Sequence, residues 1–77
     1  MTTDGFLLSF ELSQDGDELS IHFDDLGLNN LISVLLQIKE KAGHEHLMTP
    51  SWGGNELSED RQSEESRLLN RITLHKW

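Results

Sequence analysis

Four histidines are the side chains of this sequence best suited to bind a metal ion: His22, His44, His46 and His75. Side chains alternate along a strand, so the His-x-His pair at residues 44–46 would direct two imidazoles to one side of a strand. The spacing is not diagnostic of a metal site, and exposed polar positions of a sheet often hold histidine. A His-rich metal-binding protein or a metal-dependent enzyme is therefore the alternative interpretation, and no metal is predicted.

Other catalytic chemistry has little support in the residue pattern. The chain has no cysteine, which excludes a thiol nucleophile, a thiolate metal site and a disulfide scaffold. None of the serines lies in a nucleophile elbow, and the carboxylates lack the apolar surroundings that raise a pKa for general acid catalysis. Gly53 and Gly54 are followed by no lysine at P-loop spacing. We predict a protein that is not an enzyme and needs no cofactor.

Negative charge is unevenly distributed along the chain. The sequence has 14 acidic and 6 basic residues, a net charge of −8 with neutral histidines, and its first lysine or arginine is Lys39. Such a field repels nucleic acid and anionic membranes and attracts basic proteins. We expect no direct contact with nucleic acid or membranes. An acidic surface that only maintains solubility is the simpler explanation.

Many of these acids lie on a predicted β-hairpin. Residues 6–12 and 18–24 alternate apolar and polar side chains, which is typical of half-buried strands, and Asp15-Gly16 favours a tight turn. A turn centred on this pair predicts the following opposed residues: Leu12 with Leu19, Phe10 with Ile21 and Leu8 with Phe23 on one face, and Glu11 with Ser20 and Ser9 with His22 on the other. A slip of one residue would destroy this match.

An amphipathic helix is predicted over residues 28–42, because its apolar side chains recur on one face. Asp24 or Asp25 can cap its start, and Gly43 stands where a glycine commonly ends a helix. We expect the apolar face to cover the sheet. The predicted core consists of Leu8, Phe10, Leu12, Leu19, Ile21, Phe23, Leu31, Ile32, Leu35, Ile38, Ile72 and Leu74.

Two further strands are predicted at residues 44–49 and 68–77, with Ile72 and Leu74 pointing inward. The whole chain, residues 1–77, is expected to be one small α+β domain. Its fold is a four-stranded antiparallel sheet in the order β-β-α-β-β, with one amphipathic helix packed on one face. The four histidines would then share the open face of this sheet.

A long polar connection, residues 50–66, precedes the last strand. Long loops in small domains are usually functional or disordered, and the sequence leaves both possibilities open. Gly53 and Gly54 can adopt positive φ or allow close approach of another backbone. Trp52 is either packed under the loop or exposed as an anchor for a partner, a role in which tryptophan is enriched.

Several motifs follow one another over roughly residues 18–77: an alternating strand, a helix, a His-x-His-Leu strand, a Trp-Gly-Gly-x-Glu-Leu loop and a closing strand that ends in Trp77. This arrangement resembles a family of bacterial immunity proteins, number thirty-two in the classification of polymorphic toxin systems. The resemblance implies a cytoplasmic protein that binds and neutralises a cognate toxin domain. It supplies no toxin-contacting residues.

The charge pattern predicts where a basic toxin domain would bind. Six candidate residues are Asp15, Asp17 and Glu18 at the hairpin turn, Asp24 and Asp25 at the start of the helix, and Trp52 as an apolar anchor. Glu11 is expected to add charge on the outer sheet face. A homodimer formed through open sheet faces or edge strands is a third interpretation, compatible with either of the others.

The compartment is predicted from what the sequence lacks. Residues 1–4 do not begin a basic segment followed by an apolar stretch, as a signal peptide would. The apolar runs are much shorter than the roughly 20 residues that span a membrane. A chain without cysteine also fits a reducing compartment, so the cytoplasm is the expected location.

Overall fold

The computed structural model describes residues 5–40 and 43–77. Its elements in chain order are β1 (Leu8–Ser13), β2 (Leu19–Phe23), α1 (Asp25–Lys39), β3 (Gly43–Met48), a short 3-10 helix (Pro50–Trp52), β4 (Ser66–Leu68) and β5 (Arg71–Lys76). The predicted α+β class is confirmed. The prediction of a single four-stranded sheet is wrong. Strands β2, β1 and β4 form one antiparallel sheet in that order, and β3 and β5 form a second antiparallel sheet.

The difference arises in the last predicted strand, which pairs with two different strands. Its first part, β4, pairs with β1, and its second part, β5, pairs with β3. Between them, the Leu69 amide donates to the Phe10 carbonyl (2.9 Å), and the Asn70 carbonyl accepts from the Thr49 amide (3.0 Å). Residues 66–76 therefore pass from one sheet to the other, and only Leu69 and Asn70 separate β4 from β5.

The hairpin of β1 and β2 has the predicted register: Phe10 lies opposite Ile21, and the other four predicted pairs are also present. The turn differs from the predicted tight one. The Ser13 amide donates a hydrogen bond to the Glu18 carbonyl across the hairpin (2.9 Å), so the loop consists of four residues, 14–17. Within the loop, the Gly16 amide donates to the Ser13 carbonyl (2.9 Å). Gly16 has φ +78°, and among the described residues positive φ is confined to glycine. A two-residue type I′ turn needs positive φ at both central residues, and Asp15 does not provide it.

Helix α1 begins earlier than predicted because Asp24 caps it. The Asp24 carboxylate accepts a hydrogen bond from the Gly27 amide (2.8 Å), and the helix continues to Lys39 with Glu40 as its C-cap. The predicted end at Gly43 is wrong, since Gly43 begins β3; Lys41 and Ala42 lie outside the described residues. Within the parts of the chain that are described, no helix has the length and hydrophobicity needed to cross a bilayer.

The buried core is smaller than predicted. Leu8, Phe10, Leu47 and Leu57 form its centre, and Phe6, Leu31, Val34, Leu69, Ile72 and Leu74 pack against it; Ile38 is buried as well. The prediction is wrong for five apolar residues that are exposed: Leu19, Ile21, Phe23, Ile32 and Leu35. A single helix of 15 residues lies against strands of both sheets, and part of its own apolar face and the apolar side chains of the outer strand β2 stay exposed.

The connection between the 3-10 helix and β4 contacts β1 on both of its faces. Leu57 is fully buried in the core cluster with Leu8 and Phe10, and Ser58 exchanges two hydrogen bonds with the backbone of Leu8, one from its amide (2.8 Å) and one to its hydroxyl (2.9 Å). Glu11, expected on an open outer face, is only 1% exposed. Its carboxylate accepts hydrogen bonds from Ser9, Gln62, Ser63 and Ser66 at 2.6–3.1 Å.

Candidate partner-binding surface

A hollow of about 390 Å³ opens beside the hairpin, on the face of β1 and β2 opposite the core. Four carboxylates line it: Glu11, Asp15, Glu18 and Glu65. Among the described residues that line this hollow there is no lysine or arginine. We name it the acidic hollow. Its size and charge suit a cationic side chain of a partner, because a carboxylate binds lysine or arginine through charge-assisted hydrogen bonds.

Two of these carboxylates are held in their charged form by hydrogen bonds. Burial alone would raise the pKa of Glu11, but the hydrogen bonds donated by Ser66, Gln62, Ser9 and Ser63 together hold that pKa below its ordinary value. The hydroxyl of Ser13 and the amide of Asp17 donate to Asp15 (2.6 and 3.0 Å) and lower its pKa. The hollow is therefore anionic at neutral pH.

The predicted acids occur at both ends of β2. Asp15, Asp17 and Glu18 lie at its start, in and beside the hairpin loop, whereas Asp24 and Asp25 follow its last residue. The amide of Gly27 donates to Asp24 and is the main cause of the lowered pKa of that carboxyl. Glu18 and Asp24 are six residues apart, or about 20 Å at the rise of a strand. The structure thus places the five acids in two groups separated by the length of β2.

An apolar strip connects these two groups, and the sequence interpretation assigned it to the core. Leu19, Ile21 and Phe23 of β2 are 42–51% exposed. Further exposed apolar side chains lie on α1: Leu26, Ile32, Leu35 and Leu36. One feature of the sequence could have predicted this exposure. The apolar stripe on α1 includes Val34 and Leu36 and is wider than one sheet face can cover.

Trp52 is 56% exposed, so it does not fill the interior of its loop; Leu57 does. The glycines after Trp52 have the two roles predicted for them. Gly53 has φ +89°, and a Cβ atom on Gly54 would lie 2.7 Å from the Met48 carbonyl oxygen. This loop joins β1 through Ser58, on the side of β1 away from β2. The structure therefore places Trp52 apart from the acidic hollow.

The histidines do not share one face. His22 lines the acidic hollow, whereas His44, His46 and His75 lie together on the second sheet, with ring centroids 4.8 Å apart for His44–His46 and 5.6 Å for His44–His75. Burial and then the charge of Arg71, whose guanidinium lies 3.2 Å from the Nδ1 atom, lower the pKa of His46. Within residues 5–40 and 43–77, no three histidine or carboxylate side chains are arranged to hold a metal ion. The geometry gives the metal-binding alternative no support.

A known protein family matches most of the chain. The sequence model of the family Immunity protein 32 matches residues 18–72, which include β2, α1, β3 and the Trp52 loop. The chain belongs to the Immunity protein 32 family. This membership confirms the resemblance seen in the sequence. Searches of the curated proteins and of the solved structures found no match.

Proposed function

We propose that this Immunity protein 32 member binds a cognate toxin domain in the cytoplasm, through a basic surface of that domain, and so blocks its activity without catalysis. Family membership supports immunity in general. The observation that supports a basic partner is the acidic hollow, with four carboxylates and no lysine or arginine among its described lining residues. The exposed apolar side chains of β2 project from the opposite face of the same strand, so a partner at the edge of β2 can contact both.

Charge and apolar contact have different parts in this proposal. The hollow and the acids at both ends of β2 attract a basic domain over distance and orient it, which raises the rate of association. The apolar side chains of β2 and α1 then exclude water at the contact and slow dissociation. Trp52, exposed on a loop apart from the hollow, is proposed as a second and separate apolar contact with the toxin domain. A basic surface is also what a domain that acts on nucleic acid carries, so covering it would block such an activity.

Co-expression tests the proposal. A candidate toxin domain, taken from a gene that neighbours the gene for this protein, is expressed in a bacterial host with and without the protein, and growth and co-purification are measured. We expect growth to be restored and a stable one-to-one complex to form. Unrestored growth with both proteins soluble and no complex at low ionic strength would refute the proposal. Restored growth with no physical complex would refute neutralisation by binding.

A further inference from the structure

We propose that the open edge of β2 receives an extended segment of the toxin domain as an added antiparallel strand. The segment would have alternating apolar side chains and a lysine or arginine at each end. This inference rests on the proposed function and specifies the chemistry of the partner.

The backbone of β2 presents unpaired groups on one side. Ser13 bonds to Glu18 and the Asp24 amide donates to the Leu7 carbonyl (3.1 Å), so hydrogen-bonded pairs occur at both ends of the hairpin. Such pairs alternate along an antiparallel ladder, which assigns the inward groups to Ser20 and His22. The amides and carbonyls of Leu19, Ile21 and Phe23 point away from β1. Among the described residues no strand pairs with them.

The side chains of β2 lack the features that protect an exposed edge. Natural edge strands carry lysine, proline or a bulge that prevents pairing with another chain. Residues 19–23 contain no lysine, arginine, proline or glycine, and all five pair with β1 without a bulge. Leu19, Ile21 and Phe23 present both their outward backbone groups and their half-exposed side chains. This combination suits strand addition, in which the backbone gives affinity and alternate side chains give specificity.

The charges at the ends of β2 select the occupant. Asp17 and Glu18 lie at one end, Asp24 and Asp25 lie at the other, and residues 5–26 contain no lysine or arginine. A second copy of this chain, paired antiparallel along β2, would bring Glu18 of each copy towards Asp24 of the other. Like charges opposite one another destabilise such a pair. A segment with basic ends instead meets an acidic group at each end.

A synthetic peptide tests the edge directly. The peptide KKVTVTVKK has inner lysines six residues apart, the same separation as Glu18 and Asp24. Its controls are EEVTVTVEE, which reverses the end charges, and KKVTPTVKK, which interrupts the strand. Amide hydrogen exchange of the isotope-labelled protein is measured by NMR with each peptide in excess. We expect KKVTVTVKK to slow exchange at Leu19, Ile21 and Phe23 by about tenfold or more, with little effect from either control.

Three results would overturn the edge assignment. They are unchanged exchange at these three amides with KKVTVTVKK, equal protection by the acidic peptide, and protection in the free protein that grows with its concentration, which would indicate pairing of two copies. The same amides are then followed in the toxin complex. A complex that forms with these amides unprotected refutes the strand addition and leaves the proposed function intact. Protection by KKVTVTVKK, together with failure of the co-expression test, refutes the function and leaves the edge chemistry intact.

Discussion

Glu11 of β1 binds residues 62–66 through hydrogen bonds. Its carboxylate accepts two backbone and two hydroxyl hydrogen bonds, and three of the four donors come from residues 62–66. A buried carboxylate is stable in this position because every acceptor has a donor. At the scale of single residues, the acid that the charge pattern assigned to a partner surface is therefore chiefly a structural one.

Replacement of this carboxylate by an amide measures that role. In Glu11→Gln, one oxygen becomes an NH₂ group facing a backbone N–H, and we expect a loss of about 1–3 kcal/mol in the free energy of unfolding. The control is Glu65→Gln, on the rim of the same hollow. Urea denaturation at neutral pH gives both values. Equal stability of the two variants would contradict the structural role.

The lowered pKa of Glu11 also predicts a pH dependence. The ordinary pKa of the group is 4.5 and the folded value lies below it, so the stability it contributes is complete above about pH 4.5 and is lost as the pH falls through the folded pKa. The difference in unfolding free energy between the native protein and Glu11→Gln should therefore shrink below pH 4.5. A difference that stays constant or grows on acidification would contradict the cause assigned to this shift.

Trp52 offers a test on an exposed side chain. Because its indole is largely in solvent, Trp52→Ala should change the free energy of unfolding by no more than about 0.5 kcal/mol. We expect the same change to raise the dissociation rate of the toxin complex. Surface plasmon resonance and urea denaturation separate the two effects. A large loss of stability with unchanged dissociation would assign Trp52 to the fold and not to the interface.

At the scale of elements, the hairpin has one strand in the core and one at the surface. Phe10 on β1 is 4% exposed, whereas Phe23 on β2 is 47% exposed. The two strands have the same alternation of side chains, and only their neighbours differ. β1 lies between β2 and β4, while β2 forms the edge of the sheet.

A matched pair of substitutions follows from this contrast. Phe10→Ala should cost about 3–5 kcal/mol of unfolding free energy, because it leaves a cavity at the centre of the core. Phe23→Ala should cost much less and should instead weaken the toxin complex through faster dissociation. Denaturation and binding kinetics are measured on both variants, the complex of Phe10→Ala at a temperature where it stays folded. Similar losses of stability for the two would contradict the exposed position of β2.

The hairpin register followed from the sequence because alternation and a turn fix which residues oppose one another. The strands that pair with residues 66–76 could not be predicted from the sequence. An alternation of period two shows which side of a strand is apolar, but it does not show which strand lies beside it. The burial of Glu11 was equally hidden, because its backbone donors at Gln62 and Ser63 are 51 and 52 residues away in the chain. Of the candidate site, the sequence indicated the acids but not the apolar strip between them.

At the scale of the whole molecule, the net charge of −8 makes association with a basic domain sensitive to salt. Exposed charges are screened beyond about 8–10 Å at physiological ionic strength. We expect the association rate with the toxin domain to fall steeply as salt is added, while the dissociation rate changes little. Stopped-flow measurements over a range of salt concentrations test this, and an association rate independent of salt would contradict electrostatic attraction.

Charge reversal tests whether position matters as well as net charge. Asp17→Lys with Glu18→Lys should lower the association rate at low salt by about tenfold or more. Glu40→Lys with Glu45→Lys makes the same change in net charge at two residues that do not line the hollow, the C-cap of α1 and a position on β3, and should have a much smaller effect. Equal effects of the two pairs would mean that only the total charge attracts the partner.

The passage of residues 66–76 from one sheet to the other has a consequence for how the protein folds. Contacts within the β1–β2 hairpin are local and can form early, whereas β4 must find β1 across more than 50 residues of chain. Because β4 and β5 are joined by only Leu69 and Asn70, displacement of one strand from its sheet also disrupts the pairing of the other. The two sheets should therefore unfold in a single cooperative transition, and a nascent chain would acquire this fold only after residues 66–76 have left the ribosome.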